Sequence, residues 1–144
     1  MIKRTDICTT VNLLLKSKYP SYKTYGHEVV EGFDKPSFFV NLVPNTISNE
    51  SVNYKKYSYS IVITYFQDRP NEIDNLNKAD EIQALFGYHL KVGDKLLAIT
   101  DFDYEFVGEY TNILQMSFEM EYMEYNQKQQ PETATELNLK VEKR

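Results

Sequence analysis

The stretch from Lys55 to Gln67 constrains the fold more than any other part of the chain. Tyr57, Tyr59, Ile61, Ile63 and Tyr65 fall on one side of an extended backbone; Ser58, Ser60, Val62, Thr64 and Phe66 fall on the other. A period of two that separates an apolar row from a mixed row reads as a strand with one face on a core. At roughly 3.3 Å per residue such a strand spans about 43 Å. That is more than a compact domain of 144 residues needs. Part of the strand should therefore project beyond the body.

The other elements are legible around it. Ile7, Val11, Leu14 and Leu15 recur at helical spacing, which predicts a helix from Thr5, as N-cap, to Lys18. Tyr19-Pro20 should end it, since the residue before proline avoids helical angles. Tyr22 to Val30 alternates loosely up to a hairpin-like break at Glu31–Lys35. Ser37 to Val43 is apolar on both faces and bounded by Pro44, as in an inner strand, whereas Asn45 to Asn53 is rich in turn-formers and predicts a mobile loop. Asn71 is placed to cap a second helix reaching Phe86, with Ile73, Leu76, Ala79, Ile82 and Phe86 as its buried stripe and Gly87 beyond its end.

Strands should follow over Tyr88–Val92, Lys95–Phe106 and Ile113–Tyr125. In the last, Leu114, Met116, Phe118, Met120 and Tyr122 alternate with Gln115, Ser117, Glu119, Glu121 and Met123. Helix, strands, helix, strands with short connections predicts an α+β fold: a mostly antiparallel β-sheet with two helices on one face, in two layers. Residues 1–126 read as a single domain and 127–144 as a polar tail outside the core. Within that tail Leu137, Leu139 and Val141 alternate, the pattern of a short strand added to a neighbour's sheet edge.

Several function classes fit poorly. Sixteen basic against 21 acidic residues gives a net charge of −5, the wrong sign for gripping phosphate backbones. Lys55-Lys56 beside Tyr54 and Tyr57 is the one stacking-plus-phosphate candidate, and a charged strand end that discourages edge aggregation is the commoner situation. No apolar run reaches the length of a membrane-spanning helix. A lone Cys8 excludes an internal disulfide framework and suits a reducing compartment. His27 and His89 stand without a neighbouring motif, and no phosphate-cradling or dinucleotide-binding glycine loop occurs, so neither catalysis nor a cofactor is implied. Asp101, Asp103 and Glu105 would share one strand face, where a hard cation needs further converging oxygens.

One segment carries more. Tyr25-Gly26-His27-Glu28-Val29-Val30-Glu31-Gly32-Phe33-Asp34-Lys35-Pro36-Ser37-Phe38-Phe39-Val40 resembles a stretch of the small tail terminator, or tail completion, proteins of Gram-positive prophage tail modules. Asn49-Glu50 ahead of Tyr54-Lys55, Ile63-Thr64-Tyr65-Phe66, Ala79-Asp80 and Leu90-Lys91-Val92-Gly93-Asp94 follow in the same order, so that the resemblance covers residues 5–125. It implies a structural virion part without enzymatic activity or cofactor. Such a part caps the tail tube as a ring, commonly a hexamer, at the end nearest the head, having been made in the bacterial cytoplasm. Its implied partners are the tube protein, the sheath of contractile tails and the head–tail connector, with DNA only passing through the channel. A connector or minor capsid subunit is the alternative. Asn49, Glu50, Tyr54, Tyr57 and Tyr59 are then the candidate ring or tube interface. Glu119, Glu121 and Glu124 are candidates for lining the channel, or else form a solvated outer face.

Overall fold

A computed structural model describes residues 2–26 and 31–125. Two helices, α1 (Arg4–Lys18) and α2 (Glu72–Phe86), lie on one face of a single six-stranded sheet. The strands are β1 (Lys23–Tyr25), β2 (Ser37–Asn49), β3 (Tyr54–Phe66), β4 (His89–Val92), β5 (Lys95–Val107) and β6 (Ile113–Tyr125), in the order β1-β2-β3-β6-β5-β4. Every pair is antiparallel except β1–β2. The expected two-layer α+β architecture is the one observed.

The core follows from period two. Tyr59, Ile61, Ile63 and Tyr65 of β3 stand beside Met120, Phe118, Met116 and Leu114 of β6, all nearly sealed from solvent. Ile7, Val11 and Leu15 of α1 and Ile82 and Phe86 of α2 close over them, Phe86 lying 5.0 Å from the Phe118 ring. Stacked aromatics continue the layer at the β1 end, where Tyr22 lies 5.6 Å from Phe38 and 6.1 Å from Tyr65.

Four local expectations need correction. The helix α1 starts one residue before Thr5. Lys3 is its N-cap, and the Asp6 carboxylate reaches back to accept the Lys3 N–H at 3.1 Å, the half of a capping box that an acid at the third position supplies.

Among the described residues from Tyr22 to Gly26, Lys23–Tyr25 forms a strand, and it runs parallel to β2. A parallel neighbour cannot be joined by a tight hairpin, so Glu31–Lys35 belongs to a crossing connection. Val30 and the three residues before it lie outside the described residues.

The expected loop from Asn45 to Asn53 is confined to residues 50–53. Strand β2 runs through Pro44 to Asn49, and Asn45 is the extra residue of a bulge between Pro44 and Thr46. A bulge on a sheet edge is where a strand tolerates proline, because no neighbour needs its missing N–H. Asn45 then covers the outer face, its Nδ2 donating to Ser60 Oγ at 2.9 Å.

The buried stripe of α2 is Asn75, Lys78, Ala79, Ile82 and Phe86; Ile73 and Leu76 are exposed. Polar partners turn the first half of the helix. Asn75 Nδ2 donates to the Asn112 carbonyl at 3.1 Å, and Lys78 is paired with Asp74 beneath three tyrosine rings. The cap itself is as expected: Asn71 Oδ1 accepts the Asp74 N–H.

Candidate functional site

Strands β2 and β3 are equally long and, with β6 along the other side of β3, form an arm that ends at the turn after Asn49. Its turn is closed by main-chain bonds from the Glu50 and Ser51 N–H groups to the Tyr54 carbonyl, and by Ser48 Oγ donating to the Glu50 carboxylate at 2.7 Å.

The five candidate interface residues do not share a surface. Asn49, Glu50 and Tyr54 are exposed at the end of the arm. Tyr54 meets Tyr125 edge-on at 5.3 Å across the β3–β6 pair, and both rings remain about half exposed. Tyr57 points to the helix side, stacked on Tyr122 at 5.0 Å and only half-buried. Burial, with Glu124 nearby, pushes its hydroxyl above the usual range. Tyr59 belongs to the core at 3% exposure, with the Arg4 guanidinium 5.8 Å from its ring centre. An interface could use Tyr54 and the edge of Tyr57, but not Tyr59.

Met123 and Tyr125 join Tyr54 on the outer face at the same end, while Ile47, beside Tyr57, lies on the helix side; each of the three is exposed by about half. None of these three was singled out from the sequence. The available signal was the apolar or aromatic residues that continue the alternation to the ends of strands.

The three glutamates divide too. Glu119 and Glu121 lie on the outer sheet face beside Ser60 and Ser58, whereas Glu124 has the opposite parity and accepts the Ile2 N–H at 2.8 Å near α1. Lys56 pairs with Glu121 at 3.4 Å, which partly offsets the acidic row. That pairing, with Lys55 turned to the other face, also divides the one candidate phosphate-binding pair. Around them the outer face mixes hydroxyls and amides with valines and with Asp103 and Glu105 of β5, and Gln115 Nε2 donates to Thr64 Oγ1 at 3.2 Å. At the β1 end it becomes aromatic, where Tyr25, Phe33, Phe39 and Phe66 cluster.

The residues weighed for chemistry are dispersed. Asp101 is the extra residue of a bulge in β5, with φ 50°, so the three acids do not form an even row. His89 is exposed on the edge strand β4, and His27 lies outside the described residues. Burial raises the Cys8 thiol above its usual range, which lowers its thiolate fraction. No group of three or more metal-ligating side chains exists among the described residues.

What the fold and surface define is an α+β domain: a sealed two-layer core whose β2–β3–β6 end carries exposed aromatics. The family model for phage tail terminator proteins matches residues 6–132, and the chain belongs to that family. It is a structural component of a phage tail and associates with other tail parts. One solved structure is similar at a TM-score of 0.53 over 88% of this chain and 97% of the other, with 11% identity, a likeness of fold alone. No curated sequence relative matches the chain.

Proposed function

We propose that the protein caps the tail tube as a closed ring, ends tube growth and presents the surface that the head or collar meets. The observation that carries this reading is the arm formed by β2, β3 and the end of β6, with Tyr54, Met123 and Tyr125 exposed together on its outer face. Aromatic residues and methionine are enriched at interface cores, and a patch at one end of the subunit can meet a different surface of a neighbour. Contacts of this head-to-tail kind close into a ring when the rotation permits. The six-fold number follows the resemblance to the tail terminators. The ring sits at the tail end nearest the head, against the tube protein and, in contractile particles, the sheath. The outer face with Glu119 and Glu121 lines the channel, and DNA passes without being gripped. Negative-stain imaging of the purified protein and of tails tests this directly. Rings of one size, and the same ring at the head-proximal tail end, are expected; tails without this ring there would overturn it.

A further inference from the structure

The sheet has an unfinished edge. Strand β4 pairs β5 only from Lys95 to Ala98, so from Thr100 to Val107 β5 has β6 on one side and no strand on the other among the described residues. A row of unpaired N–H and C=O groups is a template for an added strand.

The two faces along this edge differ. On the helix side lie Tyr104, 54% exposed, and the half-buried Phe106, which lines an open cleft of about 310 Å³ with Asn75, Thr111 and Asn112. On the outer side stand Asp103 and Glu105, neither ion-paired among the described residues.

One segment of the chain has the complementary pattern. Leu137, Leu139 and Val141 alternate with Asn138, Lys140 and Glu142, and Lys143 and Arg144 follow, so that the last five residues hold three positive charges against one negative. Laid along β5, an extended segment of this pattern sets its aliphatic row on Tyr104 and Phe106 and its lysine beside Asp103 and Glu105. The edge of β2 beyond Val40 is also open, but Asn41, Val43, Thr46 and Ser48 give it no charge to match.

We infer that residues 137–141 of one copy add a strand to the Thr100–Val107 edge of the next. A second copy is favoured over the same chain by topology. Strand β6 ends at the tip of the arm, and β4 with its Gly93-Asp94 turn occupies the part of the β5 edge nearest that end. The inference rests on the ring reading and names a contact within the ring.

Hydrogen exchange on the full chain, read beside particle size over a range of concentrations, tests it. In rings, the β5 amides of residues 100–107 that point away from β6 should exchange roughly tenfold or more slowly than in dilute monomer. Leu139→Asp, and separately Lys140→Glu with Lys143→Glu, should abolish that protection while β3 and β6 amides stay protected. Rings whose edge amides exchange freely, or keep their protection in both variants, overturn the inference and leave the ring reading standing. Protection that is equal at all concentrations assigns the edge to the same chain and overturns the second copy. Absence of any ring removes both.

Discussion

The Lys78 ammonium stands 2.9 Å from Asp74 Oδ1, one helical turn away, with the rings of Tyr19, Tyr22 and Tyr65 at 5.4, 5.5 and 5.3 Å. The other carboxylate oxygen accepts from Tyr65 Oη at 2.7 Å and from Gln67 Nε2 at 3.0 Å. The charge thus fastens α2 to β3 in a layer that is otherwise apolar. Removing one partner leaves the other desolvated. Lys78→Met should therefore destabilise the protein by about 1–3 kcal/mol. Lys78→Met combined with Asp74→Asn should cost less than the sum of the two single changes, which a double-mutant cycle by denaturant unfolding measures.

The same pair sets a pH window. Burial pushes the Asp74 carboxyl up, but hydrogen bonds from Lys78, Gln67 and Tyr65 outweigh it and hold the group below its ordinary 3.8. Its contribution is complete above 3.8 and disappears as pH falls through the lower folded value. Burial lowers the Lys78 ammonium, and its hydrogen bonds and charge interactions with Asp74 and Tyr22 together outweigh that, leaving it above 10.5; its contribution is complete below 10.5 and fades as pH rises past the folded value. Melting temperatures of the parent chain should thus fall at both extremes. In Lys78→Met the alkaline loss should shrink, and an unchanged alkaline limb would show that other groups govern it.

Gly108 opens the turn between β5 and β6 at φ 93°, and a Cβ there would lie 2.9 Å from Ile113 Cδ1. Gly93, at φ 61° between β4 and β5, has no atom within 4 Å of the same position. Both alanine variants bear a left-handed backbone cost of roughly 1–2 kcal/mol. Only Gly108→Ala adds a steric one, so it should melt lower than Gly93→Ala. Equal melting temperatures would mean that Ile113 moves aside freely.

Tyr54→Ser with Tyr125→Ser tests the arm. The two rings touch each other and solvent, so the loss of fold stability should stay within about 1 kcal/mol, the scale of a cross-strand pair. Ring formation or attachment to tubes, followed by sedimentation, should drop far more. A variant that assembles normally would move the interface away from the arm's end.

Strand faces were legible because a period of two survives any tertiary context: the inward rows of β3 and β6 are those the sequence displays. Where the reading failed, a polar partner overruled hydropathy. Ile73 and Leu76 carry the helical stripe, yet Asn112 and the tyrosine layer claim Asn75 and Lys78. The continuation of β2 was hidden because Asn45 and Pro44 are turn residues by composition, and only pairing with β3 makes them a bulge. Glu124 was grouped with Glu119 and Glu121 by nearness in the chain, although its parity already placed it on the other face. The interface residues were partly visible as tyrosines, but Tyr59 on the inward row shows that an aromatic count does not separate core from surface.

The outer face supplies the last prediction. Glu119 is half-buried beside Thr100 and Ser60, and Glu121 shares its charge with Lys56. If this face lines the channel, Glu119→Lys with Glu121→Lys turns a mildly repelling wall into one that attracts phosphates, and also sets Lys56 beside a like charge. Stability should fall little, because exposed ion pairs contribute about 0–1 kcal/mol. Rings should still form, while DNA threads through them more slowly. The delay should grow as salt is lowered, since the screening length increases from about 8 Å at physiological ionic strength to about 30 Å at 0.01 M. Passage timed on a reconstituted ring or a DNA-carrying particle reads the effect. Normal passage at low salt would put these glutamates on the outside of the ring.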